Sequence, residues 1–259
     1  MPPRAIGCLP EDELVRFTRP MDEGRLVYVT TNPRVLSLVQ RGGYATRVFA
    51  IVSYEIEDSD GLPSEDQALA LNTAEEEFLS LGAGQTMSLL QVGRLTYHGN
   101  RVLVFHSSMQ QPLGQGPSFS VFIHGVKWDI YYEQDQELIF LRTVMEPTAE
   151  ERRASYNQTQ IARLEDFGDP LAKPRPLRFF GTFPSLPDMA GAIAMLNDKQ
   201  FRCEDQVMRE DRSWTMVAAY DCAPDPTSVE RLTGFVQYIC HLCNGHYEGW
   251  DCEARAGAK

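Results

Sequence analysis

The clearest structural signal in the chain is residues 225–252, which read DPTSVERLTGFVQYICHLCNGHYEGWDC. Asp225 can cap a helix that opens with Pro226, and Asn244 and Gly245 are residue types that tolerate the left-handed conformation found where helices end. The apolar positions between these ends recur at spacings of three and four: Val229, Leu232, Val236, Ile239 and Cys243. This stripe predicts an amphipathic helix that packs against a sheet.

The residues upstream of this helix complete a small domain. Four strands are predicted at 177–183, 201–209, 214–220 and 246–252. A first helix is predicted after Ser185, which can serve as its N-cap. The order strand, helix, strand, strand, helix, strand predicts a ferredoxin-like domain over residues 177–259, with a four-stranded antiparallel sheet and both helices on one face.

A proline-rich segment at 168–176 predicts the boundary between two domains. Its three prolines disfavour helix and remove backbone donors, so we interpret it as an extended linker. Residues 1–167 are predicted to form a separate α+β domain, with a helix from about Ser64 to Leu81 and a hairpin turning at His98 to Asn100. The predicted fold class is therefore α+β with two domains.

The overall charge limits the kinds of partner. The chain has 259 residues, with 24 basic and 36 acidic side chains and a formal net charge of -12. This charge argues against direct nucleic-acid binding, which depends on neutralising phosphates, and favours a basic protein as partner. The sequence shows neither a signal peptide nor an apolar run long enough to cross a membrane, so we predict a cytoplasmic protein that does not bind membranes.

Much of the negative charge is concentrated in one segment. No lysine or arginine lies between Arg47 and Arg94, a stretch that holds nine acidic residues. Such a field accelerates encounter with a basic protein, although most charged runs are simply solvated faces. The predicted partner-binding carboxylates in this segment are Asp58, Asp60, Glu75, Glu76 and Glu77.

The search for catalytic chemistry yields one weak candidate. The chain has no phosphate-binding loop, nucleophile elbow or zinc-protease helix, and its five histidines are dispersed. We therefore predict no catalytic residues and no cofactor. The alternative is a metal-dependent hydrolase that holds zinc through Cys240, Cys243, His246 and Cys252, although the two helical cysteines are equally placed to pack as small hydrophobes.

A six-residue motif carries a resemblance to a known family. Residues 245–250 read GHYEGW, follow the amphipathic helix, and resemble the Gly-x-Tyr-Asp/Glu-Gly-Trp signature of the regulator of ribonuclease E activity B family. The resemblance covers about residues 177–253. One departure is that this family commonly has a His-Trp pair in its first strand, where this chain has RFFG at 178–181. The upstream half resembles an uncharacterised domain often fused in front of that family.

The resemblance implies a non-enzymatic protein that binds a ribonuclease and restrains it. It also suggests contact residues, namely Tyr247 and Trp250 as aromatic anchors, with Glu248 and Asp251 beside them to pair with arginines. In the alternative interpretation, Trp250 closes the end of the sheet and Tyr247 packs beneath it. Two other functions stay open: an immunity protein that neutralises a bacterial toxin, and a sensor that holds a small ligand.

Overall fold

The structure, a computed structural model, describes residues 14–20, 25–57, 61–82, 89–108, 117–135 and 137–255. The chain divides into two compact units, Met1–Glu151 and Arg152–Lys259. Each unit combines helices with one antiparallel sheet, so the predicted α+β class is confirmed.

The first unit is built on a seven-stranded antiparallel sheet in the order β1-β2-β4-β5-β3-β7-β6. Its strands are β1 Val15–Pro20, β2 Leu26–Thr31, β3 Thr46–Ser53, β4 Leu89–Tyr97, β5 Asn100–Ser107, β6 Pro117–Ile123 and β7 Val126–Gln134. Its helices are α1 Pro33–Gly42, α2 Glu65–Gly82 and a π-helical turn, Leu141–Met145.

Both faces of this sheet are covered. Strand β5 provides the evidence. Its successive side chains point to opposite faces of the sheet, and nearly all of them are buried. Leu103 and Phe105 pack with α2, whereas Val102 and Val104 pack with α1 and the π-helical turn. The first unit is therefore a three-layer arrangement with the sheet in the middle.

The second unit contains one four-stranded antiparallel sheet in the order β11-β8-β10-β9. Its elements are α3 Ala149–Asp166, which begins just before the unit boundary, β8 Arg175–Phe183, α4 Leu186–Asn197, β9 Arg202–Met208, β10 Trp214–Cys222, α5 Pro226–Leu242 and β11 His246–Asp251. Helices α4 and α5 share one hydrophobic core with the sheet.

The local signals of this unit are confirmed. The side chain of Asp225 accepts a hydrogen bond from the backbone N–H of Ser228 at 3.0 Å, and Ser185 caps α4 in the same way. The predicted stripe is buried, with one exception. Cys243 is the half-buried C-cap of α5, and Cys240 lies in the core instead.

The boundary between the units falls earlier than the proline-rich segment predicts. Residues 152–176 belong to the second unit, and the segment predicted as a linker contains a buried ion pair. Arg175 donates to Asp169 at 2.6 Å, and their side chains are 1% and 0% exposed. Prolines mark an extended backbone, but they do not reveal that neighbouring side chains are buried.

Candidate functional site

The motif at residues 245–250 ends in the core of the second unit, where Gly249 and Trp250 are buried, whereas His246 and Glu248 are exposed. Trp250 is 1% exposed, and its indole N–H donates to Asn157 Oδ1 at 2.9 Å. The amide of Asn157 in turn donates to Glu230 Oε2 and Thr233 Oγ1, both at 2.8 Å. The motif therefore joins β11 to α3 and α5 through one buried polar network.

The two glycines of the motif permit close approach of neighbouring groups. Gly249 has φ +137°, and a Cβ there would lie 3.1 Å from the ring of Tyr156. The Tyr156 hydroxyl donates to the backbone carbonyl of Trp250 at 3.1 Å. A Cβ at Gly245 would meet the ring of Phe183 at 2.4 Å. Any larger residue at either position would displace an aromatic side chain.

Both aromatic residues that were predicted as surface anchors pack against the core of the second unit. Trp250 is inaccessible, and Tyr247 packs on the core with its hydroxyl buried, so burial raises the pKa of Tyr247. Glu248 is exposed. Asp251 accepts from Arg178 at 2.7 Å and 2.9 Å. Of the four predicted contact residues, Trp250 is buried, Tyr247 is partly buried, and the two carboxylates are accessible.

The sheet of the second unit has one face turned away from α4 and α5. On this open face, Phe180 of β8 lies opposite Val217 of β10, and the exposed Val207 of β9 lies opposite Thr215 of β10. Two exposed ion pairs flank this apolar centre: Arg178–Asp251 and Arg202–Asp221. An apolar centre with a charged rim is the usual composition of a protein interface.

The carboxylates of the acidic segment differ in how accessible they are in the folded chain. Glu75 is 12% exposed and pairs with Arg94 at 3.1 Å and with Arg101 at 3.7 Å, so it is not free for a partner. Glu76 is exposed and Glu77 is partly exposed, whereas Asp58 and Asp60 lie outside the described residues. We call the following carboxylates the acidic surface: Glu55, Glu57, Glu65, Asp66, Glu76 and Glu77.

The charge of the chain is unevenly divided between the two units. Residues 1–151 hold 21 of the 36 acidic side chains but only 11 of the 24 basic ones, a net charge of -10. The second unit is close to neutral. An exposed apolar residue, Leu69, lies one helical turn from Glu65 and Asp66 on α2 and is 68% exposed. The acidic surface thus includes an apolar contact point.

The predicted zinc ligands are not brought together. Cys240 is fully buried, His246 is exposed, and the thiol of Cys252 accepts a hydrogen bond from Arg175 Nε at 3.4 Å. Within the described ranges, no three His, Cys, Asp or Glu side chains are grouped as a metal site requires. In this arrangement α5 turns Cys240 inward, and the chain then carries His246 to the surface.

Two thiols of this unit, those of Cys222 and Cys240, are poorly suited to nucleophilic chemistry. Burial raises the pKa of Cys222 to about 11 and that of Cys240 to about 12, so both stay protonated at neutral pH. We expect Cys240 to resist iodoacetamide at pH 8 in the folded protein, while the partly exposed Cys203 reacts. Peptide mass spectrometry measures both, and rapid alkylation of Cys240 without denaturant would contradict this packing.

A buried histidine in the first unit lies near a carboxylate. His106 is 0% exposed, with Nδ1 3.0 Å from the carbonyl oxygen of Tyr44 and Nε2 3.9 Å from Asp135 Oδ2. Burial lowers the pKa of His106, which favours the neutral ring. The ring is closed to solvent, and His106 Nε2 and Asp135 Oδ2 both lack a hydrogen-bond partner among the described residues.

The second unit is thus an α+β domain whose sheet packs against α4 and α5 on one face and leaves the other face open.

Comparison with family models identifies the two parts of the chain. Residues 154–252 match the family described as regulator of ribonuclease activity B, and residues 18–139 match DUF695, a family of unknown function. The chain therefore carries a regulator of ribonuclease activity B domain preceded by a DUF695 domain, as the resemblance predicted. The first match includes most of α3, in agreement with the contact between Asn157 and Trp250. No curated protein and no solved structure matches the chain.

The helices of both units are too short or too polar to cross a bilayer, as far as the described residues extend.

Proposed function

We propose that this chain is a non-enzymatic inhibitor that binds a basic ribonuclease in the cytoplasm and restrains it without a cofactor. The observation that carries this proposal is the family match over 154–252, a range in which Trp250 of the motif is buried and donates to Asn157. The net charge of -12 supports a basic partner, because enzymes that hold RNA present basic surfaces to its phosphates.

Two surfaces of the chain would interact with the ribonuclease. The open face of the second unit would supply the apolar contact, with Glu248 and Asp251 at its edge to meet basic side chains. The acidic surface of the first unit would supply long-range attraction, because a concentrated negative field raises the rate of encounter with a cation.

We also infer that the second unit is a ferredoxin-like domain. This inference is supported by the order β8, α4, β9, β10, α5, β11 and by the antiparallel sheet order β11-β8-β10-β9. Both helices pack on one side, and this arrangement leaves the other side of the sheet for a partner.

The proposal is tested by capture followed by an activity assay. The full chain is immobilised at low salt, retained proteins are identified by mass spectrometry, and the purified candidate is assayed for RNA cleavage with and without the chain. We expect a ribonuclease that is both retained and slowed. Retention of a toxin enzyme instead would favour an immunity protein, and cleavage unchanged by bound chain would contradict inhibition.

The acidic surface gives a quantitative prediction. Replacing Glu76 and Glu77 together with lysine should slow association with the captured ribonuclease about ten-fold at low ionic strength, because the attractive field is reduced. Glu75 is left unchanged because it is paired inside the unit. Stopped-flow measurements over a range of salt concentrations give the association rate.

The matched control for this prediction is Glu165→Lys with Asp166→Lys. It makes the same change of net charge at two exposed positions of α3. Equal slowing by both double variants would mean that only net charge matters, and the acidic surface would then have no special role.

A further inference from the structure

The two edge strands of the second unit differ in how they are covered. In the sheet order β11-β8-β10-β9, both β11 and β9 have a single neighbouring strand. Helix α3 lies against the β11 edge, where the Tyr156 hydroxyl donates to the backbone carbonyl of Trp250 at 3.1 Å. Among the described residues, β9 pairs with β10 alone. The outer edge of β9 is therefore open, and an open edge can pair with another strand.

Strand β9 lacks the residues that most often prevent such pairing. Its sequence, RCEDQVM, contains neither lysine nor proline, and all of its residues except Cys203 are exposed. Two of them are large and apolar: Val207 is 48% exposed and Met208 is 59% exposed. A bulge interrupts the strand between Cys203 and Asp205, so residues 205–208 form its regular part.

The side chains of this regular part limit how β9 can pair with a second copy of itself. Two-fold symmetric, antiparallel pairing places one residue opposite its own copy, and the residues on either side then pair crosswise. A centre at Asp205 would place two carboxylates opposite each other, which is unfavourable. A centre at Gln206 or Met208 would place a charged residue opposite Val207. A centre at Val207 pairs this side chain with its own copy and places Asp205 opposite Arg209.

The two charged residues of the Val207-centred register are exposed and lie on the open face. Asp205 lies opposite Val217 of β10, and Arg209 Nε donates to Thr215 Oγ1 at 2.6 Å. Asp205 Oδ1 accepts from the backbone N–H of its neighbour, residue 206, at 2.8 Å. In the described part of the chain, neither Asp205 nor Arg209 forms a salt bridge. Both can therefore pair with an opposite charge from another molecule.

We propose that two copies of this chain associate through the outer edges of β9, antiparallel about a two-fold axis at Val207. Val207 packs on the partner's Val207, and on each side of the axis Asp205 of one copy pairs with Arg209 of the other. The two four-stranded sheets join into one sheet. Because the axis is perpendicular to the sheet, both open faces lie on the same side of the dimer. This association does not depend on the proposed binding of a ribonuclease.

Equilibrium sedimentation of the full chain tests the association. The concentration should run from about 1 μM to about 300 μM, because a paired edge buries less surface than a standard interface and dissociates readily. We expect the average mass to rise from 29.3 kDa towards twice that value. A mass of 29.3 kDa at every concentration would overturn the proposal and leave the edge for a strand of another protein.

The position of the interface is tested with Val207→Lys. This variant places two ammonium groups together on the axis, so the dissociation constant should rise at least about ten-fold. Circular dichroism checks that the variant is folded, as expected for a side chain that is 48% exposed. The matched control is Tyr238→Lys on α5, which makes the same change of charge at an exposed apolar residue and should leave the dimer intact.

The register is tested by reversing the charges. Asp205→Arg faces the partner's Arg209 and should raise the dissociation constant at least about ten-fold. Adding Arg209→Asp restores opposite charges across the axis and should return the dissociation constant to about the wild-type value. Failure of this double variant to recover the dimer would overturn the Val207-centred register. A dimer unaffected by both Val207→Lys and Asp205→Arg would overturn β9 as the interface.

Discussion

Replacing Asp169 with alanine should destabilise the second unit by about 3–5 kcal/mol, the cost of leaving a buried charge without its partner. The carboxylate accepts from Arg175 Nη2 at 2.6 Å and from the backbone N–H groups of Leu171 and Arg255 at 2.9 Å and 2.7 Å. Alanine would leave these donors unpaired in a site where the Asp169 and Arg175 side chains are almost fully buried.

The same pair predicts a dependence of stability on pH. Burial acts to raise the pKa of Asp169, but the N–H groups of Arg255 and Leu171 and the Arg175 guanidinium outweigh burial and hold the pKa below its ordinary value. The ionised Asp169 carboxylate therefore contributes its full stabilisation to the second unit at neutral pH. This stabilisation is lost as the pH falls below about 4 and the carboxylate becomes protonated.

Urea denaturation followed by circular dichroism measures this destabilisation. The control is Asp221→Ala, which removes an acid from the exposed pair with Arg202 and should change stability little. If Asp169→Ala unfolds at the same urea concentration as the control, the pair does not stabilise the second unit.

Trp250→Ala should destabilise the second unit by about 3–5 kcal/mol, because it empties a core position and leaves Asn157 Oδ1 without its donor. Trp250→Phe keeps most of the ring and loses the N–H, so we expect a smaller loss, about 1–3 kcal/mol. Denaturation curves of both variants give the two values.

The Trp250 variants also separate packing from direct contact. Since the side chain is 1% exposed, ribonuclease affinity per folded molecule should stay unchanged in Trp250→Phe. A variant that folds with wild-type stability but loses the ribonuclease would show that the motif touches the partner, contrary to its position in the core.

Much of the second unit could be predicted because its signals are local. Ser185 and Asp225 cap their helices through nearby backbone N–H groups, and the buried stripe of α5 has the regular spacing of a helix. The role of α3 could not be predicted in this way. Asn157 and Trp250 are 93 residues apart, and an asparagine within a helix carries no signal of what it will bond.

The first unit was harder to predict from sequence. Helix α1 was missed, although Asn32 caps it and Gly43 ends it in the left-handed conformation, because the segment is short. The pairing of Glu75 with Arg94 was also missed. It joins α2 to β4, and a run of three glutamates does not reveal which one turns inward.

The central claim is that this chain acts by binding a ribonuclease and performs no chemistry itself. The most direct test adds increasing amounts of the chain to a fixed amount of the captured ribonuclease and measures the rate of RNA cleavage. We expect the rate to fall in proportion to added chain until a fixed molar ratio is reached and then to stay constant. A cleavage rate that is unaffected at every molar ratio would contradict the claim. So would a cleavage rate that continues to change with time after mixing, because this would mean that the chain modifies the RNA or the ribonuclease catalytically.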